Sequence, residues 1–118
     1  MNNRTVLGLT EEVTIIGEKE SVTMIARIDS GATASSIDKN LADKLDLGPE
    51  IRTKIVKSAS GINKRPIIKA KVKIKDIELE DEFTLADRSH MTYQILIGQN
   101  ILKKGEFLID PLLGREEE

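Results

Sequence analysis

Apolar side chains recur at short intervals from the start of the chain. Thr5–Leu9 reads as one short strand, Val13–Ile16 as a second, and Gly17-Glu18-Lys19-Glu20 as the turn that follows. Ser21–Ile28 alternates, with Val22, Met24, Ala26 and Ile28 on one face, as in a half-buried strand. Gly31–Ser36 is a run of small residues and reads as a loop. Asp38 is suited to cap a short helix over Lys39–Leu45, in which Leu41, Ala42 and Leu45 share a face, and Gly48-Pro49 marks the exit. Beyond it the period is two. Ile51–Val56 and Pro66–Ile74 alternate, the latter as Ile68, Ala70, Val72 and Ile74, and Ser58–Asn63 between them reads as a polar tip containing Gly61. Lys75-Asp76 predicts a tight hairpin into Ile77–Leu85, and Ala86–Met91 a loop. Tyr93–Ile97 is an unbroken apolar run apart from Gln94, expected of a strand covered on both faces. Gln99–Lys104 reads as a short helix ended by Gly105, and Phe107–Ile109 as a last strand stopped by Asp110-Pro111. Many short strands with two short helices predict a mainly β closed barrel.

Composition narrows this picture. The length of 118 residues suits one domain, taken here as residues 1–111 with a charged tail at 112–118, of which Arg115–Glu118 is expected to be disordered. With only Tyr93, Phe83 and Phe107 aromatic, the core must be built from Ile, Leu and Val. A balance of 18 basic and 20 acidic residues gives no nucleic-acid footprint. No cysteine is present, so there is no disulfide framework and no Cys-ligated metal. No apolar stretch approaches the roughly 20 residues of a membrane span, and the polar N-terminus lacks the apolar region of a signal peptide. The expectation is a soluble cytoplasmic protein with no membrane or nucleic-acid partner.

Candidate chemistry begins where the third strand runs into Asp29-Ser30-Gly31-Ala32. A carboxylate at the end of a buried strand, then a hydroxyl, then a glycine that permits a tight turn, is the arrangement of an aspartic peptidase half-site. Taken alone, the same residues suit an ordinary turn in which Asp29 caps its own loop. The rest of the chain adds to the pattern. Asp29-Ser30-Gly31-Ala32 with Ser35-Ser36-Ile37, Asp87-Arg88-Ser89-His90-Met91-Thr92-Tyr93, Leu96-Ile97-Gly98 and Phe107-Leu108-Ile109-Asp110-Pro111 occur in that order. Together they resemble four motifs of a retropepsin-like group that is labelled ATP-dependent zinc protease and associated with ATP-grasp glutamate ligases. Thr33, Asp38 and Gln99 stand where that group often has a basic residue, a histidine and an arginine.

The resemblance implies a retropepsin-like (acid-protease) closed barrel and a peptidase with Asp29 as its catalytic residue. Ser30, Gly31 and Ala32 are the supporting residues, the hydroxyl of Ser30 bonding across a dyad and the Gly31 amide bonding the carboxylate. Hydrolysis by carboxylates needs two of them sharing a proton. This chain has one Asp-Ser-Gly, so the second carboxylate must come from another copy, which makes a homodimer part of the mechanism. Lys57–Arg65 reads as a flap over a peptide or protein substrate, with Gly61 at its tip. Lys57, Gly61, Arg65 and Arg88 are the candidate substrate contacts. Lys54 and Lys64 add to the positive charge there, which favours acidic or glutamate-rich peptides. For Arg88 an ion pair with Asp87 or Asp38 is the competing structural role.

No metal or other cofactor is expected. His90 is the only histidine, no H-E-x-x-H is present, and no glycine-rich phosphate loop ends in Lys-Ser or Lys-Thr. A zinc metallopeptidase would need His90 to find carboxylate partners. A retropepsin-like module that binds peptide without cutting it is the alternative that uses the same cleft.

Overall fold

The computed structural model describes residues 3–113, apart from the side chain of Ser58. Nine strands and two helices follow in chain order: β1 (Val6–Leu7), β2 (Thr10–Ile16), β3 (Ser21–Ile28), β4 (Ser35–Asp38), α1 (Lys39–Lys44), β5 (Glu50–Ser58), β6 (Gly61–Ile74), β7 (Ile77–Ala86), β8 (Ile95–Ile97), α2 (Gln99–Lys104) and β9 (Leu108–Ile109). Six of them close a barrel in the order β2-β3-β8-β4-β7-β6, with β6 returning to β2. The expected mainly β closed barrel with two short helices is what forms.

Alternation builds the barrel. On β6, Ile68, Ala70, Val72 and Ile74 are buried, while Lys69, Lys71 and Lys73 point outward. Those lysines lie directly opposite Glu82, Glu80 and Glu78 of β7. Opposite charges at facing positions support this register, and a one-residue slip would turn the apolar set to water. The β6–β7 turn is the tight one expected, with Lys75 at φ 57°. Phe83 is fully buried in a core that, Phe107 apart, is otherwise aliphatic and includes Val13, Ile15, Ile37, Ile95 and Ile97. Asp38 caps α1 as its position predicts, its Oδ2 accepting from the Leu41 amide at 3.4 Å.

Several segments differ from their sequence reading: β2 begins at Thr10 rather than Val13, and β8 is confined to Ile95–Ile97 rather than Tyr93–Ile97. The small-residue stretch up to Ser36, read as a loop, contains the start of β4, a strand held between β7 and β8 with Ser35, Ile37 and Asp38 buried. Its polar composition hides it, because pairing on both edges rather than an apolar face makes it a strand. The polar tip read at Ser58–Asn63 shrinks to a turn at Ala59-Ser60, since the backbone pairing of β5 with β6 runs from Thr53↔Pro66 to Ser58↔Gly61. Gly61 there has φ 125°, a conformation side chains disfavour. The first strand is shorter than Thr5–Leu9, and Val6–Leu7 pairs in parallel with β9 in a separate ribbon. Leu113 packs against Gly8 at the end of that ribbon. Arg115–Glu118, the segment expected to be disordered, lies outside the described residues.

The β5–β6 hairpin extends beyond the barrel, and its base is fastened by a bidentate ion pair from Arg52 on β5 to Glu82 on β7. Hydrogen bonds from Arg52 hold the Glu82 carboxyl below the usual carboxylate range. A depressed carboxyl pKa adds stability that is fully present above its unfolded value and is lost as pH falls through the folded value. The tie should therefore persist at neutral pH and release only on acidification through that lowered value. Arg52→Gln should raise the Glu82 titration midpoint toward the ordinary carboxylate range, measured by NMR of the side-chain carboxyl.

Candidate active site

The loop after β3 is fixed by backbone bonds before any side chain acts. The parallel pairing of Ile28 with Ile97 delivers Asp29 beside β8, and its amide donates to the Ile97 carbonyl at 2.9 Å. The chain then turns, with the Ala32 amide donating to the Asp29 carbonyl at 3.2 Å. The Gly31 amide donates to Asp29 Oδ1 at 3.0 Å, so the glycine expected to support the carboxylate does bond it. The start of α2 grips the far side of this loop: the Gln99 amide donates to the Ala32 carbonyl at 2.8 Å, and its side-chain Nε2 to the Ser30 carbonyl at 2.8 Å. The glutamine that departs from the resembled group thus braces the loop with neutral hydrogen bonds.

A buried polar network sits beneath. Ser35, fully buried, accepts from the Gly98 amide at 2.9 Å and donates to Asn100 Oδ1 at 2.7 Å. Asn100 in turn donates to the Glu82 carbonyl at 2.9 Å, which joins the loop, α2 and β7. At Gly98 the crossing is so close that a Cβ would overlap the carbonyls of Ala34 and Ala32.

Asp29 itself is partly open, with its side chain 32% exposed. Arg27 Nε lies 3.9 Å from its Oδ2. Both arginines 27 and 88 line a cavity of about 330 Å³ with Asp29, walled by Met91, Tyr93 and Leu96. Arg88 does not fork onto Asp87 or Asp38. Its Nε donates to the Tyr93 carbonyl at 3.0 Å and its Nη1 approaches Ser36 Oγ at 3.4 Å. Buried Asp38 accepts the Arg88 backbone amide at 2.8 Å, while Asp87 accepts from the Ser89 amide and hydroxyl. Burial lowers the Arg88 guanidinium from its ordinary value, as does the charge of Arg27, against the opposing pull of Asp38 and Asp29. An arginine remains charged through such a shift.

The hairpin residues are distributed differently from the expectation. Lys54 faces Arg65 across the β5–β6 ladder, whereas Lys57 faces Ile62 and Lys64 faces Ile55, so the four cations divide between the two faces of the ribbon. Lys54 lines a second, larger cavity of about 460 Å³ with Thr33, Arg52 and Glu82. Lys57, Gly61 and Arg65 line neither this cavity nor the one at Asp29. Arg27 was not singled out in the sequence. Its signal is the alternation of β3, which puts the residue two before Asp29 on the same side as the carboxylate. Among the described residues no group of three or more His, Asp or Glu is placed to hold a metal, and no helix is long and apolar enough to cross a membrane.

Substitution of Gly98 tests the frame of the site. Gly98→Ala should destabilise the protein by about 1–3 kcal/mol through overpacking against backbone that cannot swing aside. The check is urea unfolding, with a lower midpoint at unchanged slope.

Comparison with known proteins bears on both fold and site. The family described as "RimB-like: Retropepsin-like aspartic endopeptidase RimB" matches residues 38–116, a stretch that begins after the Asp29 loop. No curated protein matches the chain. Among solved structures, protein Lpg0085 of Legionella pneumophila, of unknown function (DUF785), superposes with a TM-score of 0.68 at 21% identity, covering 95% of this chain and 96% of that one. The Simian Foamy Virus (mac) protease gives 0.60 at 19% identity over 80% of this chain and 91% of its own. The EIAV protease complexed with the inhibitor HBY-793 gives 0.62 at 18% identity, over 80% and 85%. These likenesses establish the retropepsin-like fold.

Proposed function

The chain belongs to the RimB-like family of retropepsin-like aspartic endopeptidases, and from that premise we propose that it hydrolyses peptide bonds through a dyad of two Asp29 carboxylates, one from each copy of a homodimer. One observation carries the reading. Asp29 is held at the end of β3 by its amide bond to Ile97 and by the Gly31 amide on Oδ1, yet its side chain stays open to solvent beside a cavity.

Two such carboxylates brought together hold one proton between them. The ionised Asp29 takes a proton from water as the water oxygen bonds to the scissile carbonyl carbon. The protonated Asp29 gives its proton to the carbonyl oxygen, and a gem-diol forms. The first Asp29 then passes its proton to the amide nitrogen, the second recovers one from a diol hydroxyl, and the C–N bond breaks. A carboxylic acid and an amine leave, one water has been consumed, and the dyad again holds a single proton.

A second copy is supported by the β1–β9 ribbon, around which Val6, Leu9, Leu108, Leu112 and Leu113 are all exposed. An apolar group of this kind on a small protein favours a protein contact. Ser30, exposed beside Asp29, is suited to bond across the two-fold axis. An acidic peptide is the proposed substrate, bound beneath the β5–β6 hairpin, and the proposed setting is cytoplasmic. Among the described residues the zinc part of the resembled group's label finds no donor set on which to build a step: His90 is exposed and is the sequence's only histidine.

Asp29→Asn keeps the shape of the side chain and removes its capacity to act as a base. It should lower kcat by at least about 10²–10⁴-fold with an unchanged thermal unfolding curve. Retained turnover in the variant, or a protein that sediments as a monomer while active, would overturn the dyad. A wild-type protein that binds peptide with no turnover would leave the non-catalytic module.

A further inference from the structure

We propose that the side chain of Gln99 selects the form of the Asp29–Ala32 turn in which the Gly31 amide serves the Asp29 carboxylate, which makes Gln99 a positioning residue for the dyad. The inference rests on the peptidase reading above and adds to it a residue that acts on Asp29 through one peptide group.

The argument begins with a turn that has two forms. The Ala32 amide donates to the Asp29 carbonyl at 3.2 Å, so Asp29–Ala32 is a four-residue turn with Ser30 and Gly31 at its centre. Types I and II of such a turn differ by a flip of the central peptide, here the one joining Ser30 to Gly31. Type II needs a positive φ at the third residue, which a glycine adopts at no steric cost. Ser30 and Gly31 are both exposed, so packing does not bar the flip. In the structure Gly31 has no positive φ, and the central peptide directs its amide to Asp29 Oδ1 at 3.0 Å.

Gln99 holds the peptide that way round. Its Nε2 donates to the Ser30 carbonyl at 2.8 Å. That carbonyl and the Gly31 amide are the two ends of one planar group. Hydrogen bonds therefore run from the Gln99 amide through the Ser30–Gly31 peptide to the Asp29 carboxylate, and bonds in such a chain polarise one another. A flip would turn the carbonyl away from Gln99 and the amide away from Asp29, and both bonds would be lost. The main chain of Gln99 has a separate task, since its amide donates to the Ala32 carbonyl at 2.8 Å. That bond fixes where the loop lies, and the side chain fixes which way its central peptide faces.

The chemical consequence concerns the ionised half of the dyad. An amide that donates to a carboxylate favours its charged form. The dyad works with one carboxylate ionised, and the Gly31 amide supports that form on the copy that takes a proton from water. The charged groups that face Asp29 are Arg27 on β3 and Arg88 on the 87–94 bend, while α2 presents the neutral Gln99. A substitution at Gln99 leaves both arginines in place.

The test uses the full-length protein and an acetylated, amidated peptide that wild type cleaves. Gln99→Met keeps the reach of the side chain and removes its donors, whereas Gln99→Arg supplies donors again. Gln99→Leu and Gln99→Lys are the second variant of each kind, used where the first does not fold. In Gln99→Met, kcat should fall about 3- to 30-fold with KM within about twofold of wild type. The acid limb of its pH profile should move to higher pH, because the ionised carboxylate has lost support. Gln99→Arg should bring kcat back to within about threefold of wild type. Hydrogen exchange followed by NMR reads the turn itself. The Gly31 amide should exchange about 3- to 30-fold faster in Gln99→Met, while the Asp29 amide, bonded to Ile97, keeps its wild-type rate. A wild-type value of kcat, of the pH profile or of Gly31 exchange in Gln99→Met overturns the proposal. Failure of the donor variants to restore kcat overturns it as well. Faster exchange at Asp29 and Gly31 together would assign Gln99 to support of the whole loop and overturn selection of the turn. Exchange is read without turnover. In a wild-type protein that cuts no peptide, faster exchange confined to Gly31 in Gln99→Met would keep the selected turn and reject the peptidase.

Discussion

The candidate site depends on one close crossing, where the loop from Asp29 to Ala34 passes over the junction of β8 and α2. Backbone meets backbone at Gly98, with carbonyls so near that no Cβ fits. The approach exposes an amide that must be satisfied in a dry place, and the buried hydroxyl of Ser35 satisfies it. That hydroxyl is oriented by Asn100, which is fastened to β7. A buried amide left without a partner costs as much as the bond is worth, so these residues act as one unit. The position of Asp29 follows from them, since its own side chain makes one local hydrogen bond.

Charge is arranged quite differently on the two sides of the barrel. Along the outer face of β6 and β7, Lys69, Lys71 and Lys73 stand opposite Glu82, Glu80 and Glu78, so the cations are answered within the sheet. Near Asp29, Arg88 is held by a carbonyl and a hydroxyl oxygen, which fix its geometry and leave its charge unspent, while Arg27 lies 3.9 Å from the Asp29 carboxylate. A nearly neutral chain can thus present a local positive potential in one cavity, which net charge does not reveal. The β5–β6 hairpin carries further cations, divided between its two faces, and of these Arg52 and Lys54 line a cavity next to the Asp29 loop.

The amino-acid sequence by itself determined the alternating strands β3, β6 and β7, the hairpin at Lys75-Asp76, the Asp38 cap and the span of α2, because period-two burial and capping are local properties. It also marked Asp29, Gly31 and the Leu96-Ile97-Gly98 run, since a carboxylate at a strand end and an apolar strand closed by glycine are visible as patterns. Tertiary structure alone decided the rest. Ser35–Asp38 became a strand because β7 and β8 pair with its two edges, an environment that its small polar residues do not announce. Arg88 reached the cavity at Asp29 rather than a neighbouring aspartate because the bend at 87–94 offered it the Tyr93 carbonyl and β4 the Ser36 hydroxyl. Arg27 gained its meaning only when β3 brought it beside that same cavity. Pairing partners and cavity walls come from residues distant in the chain, and a one-dimensional pattern holds no record of which distant residues will meet.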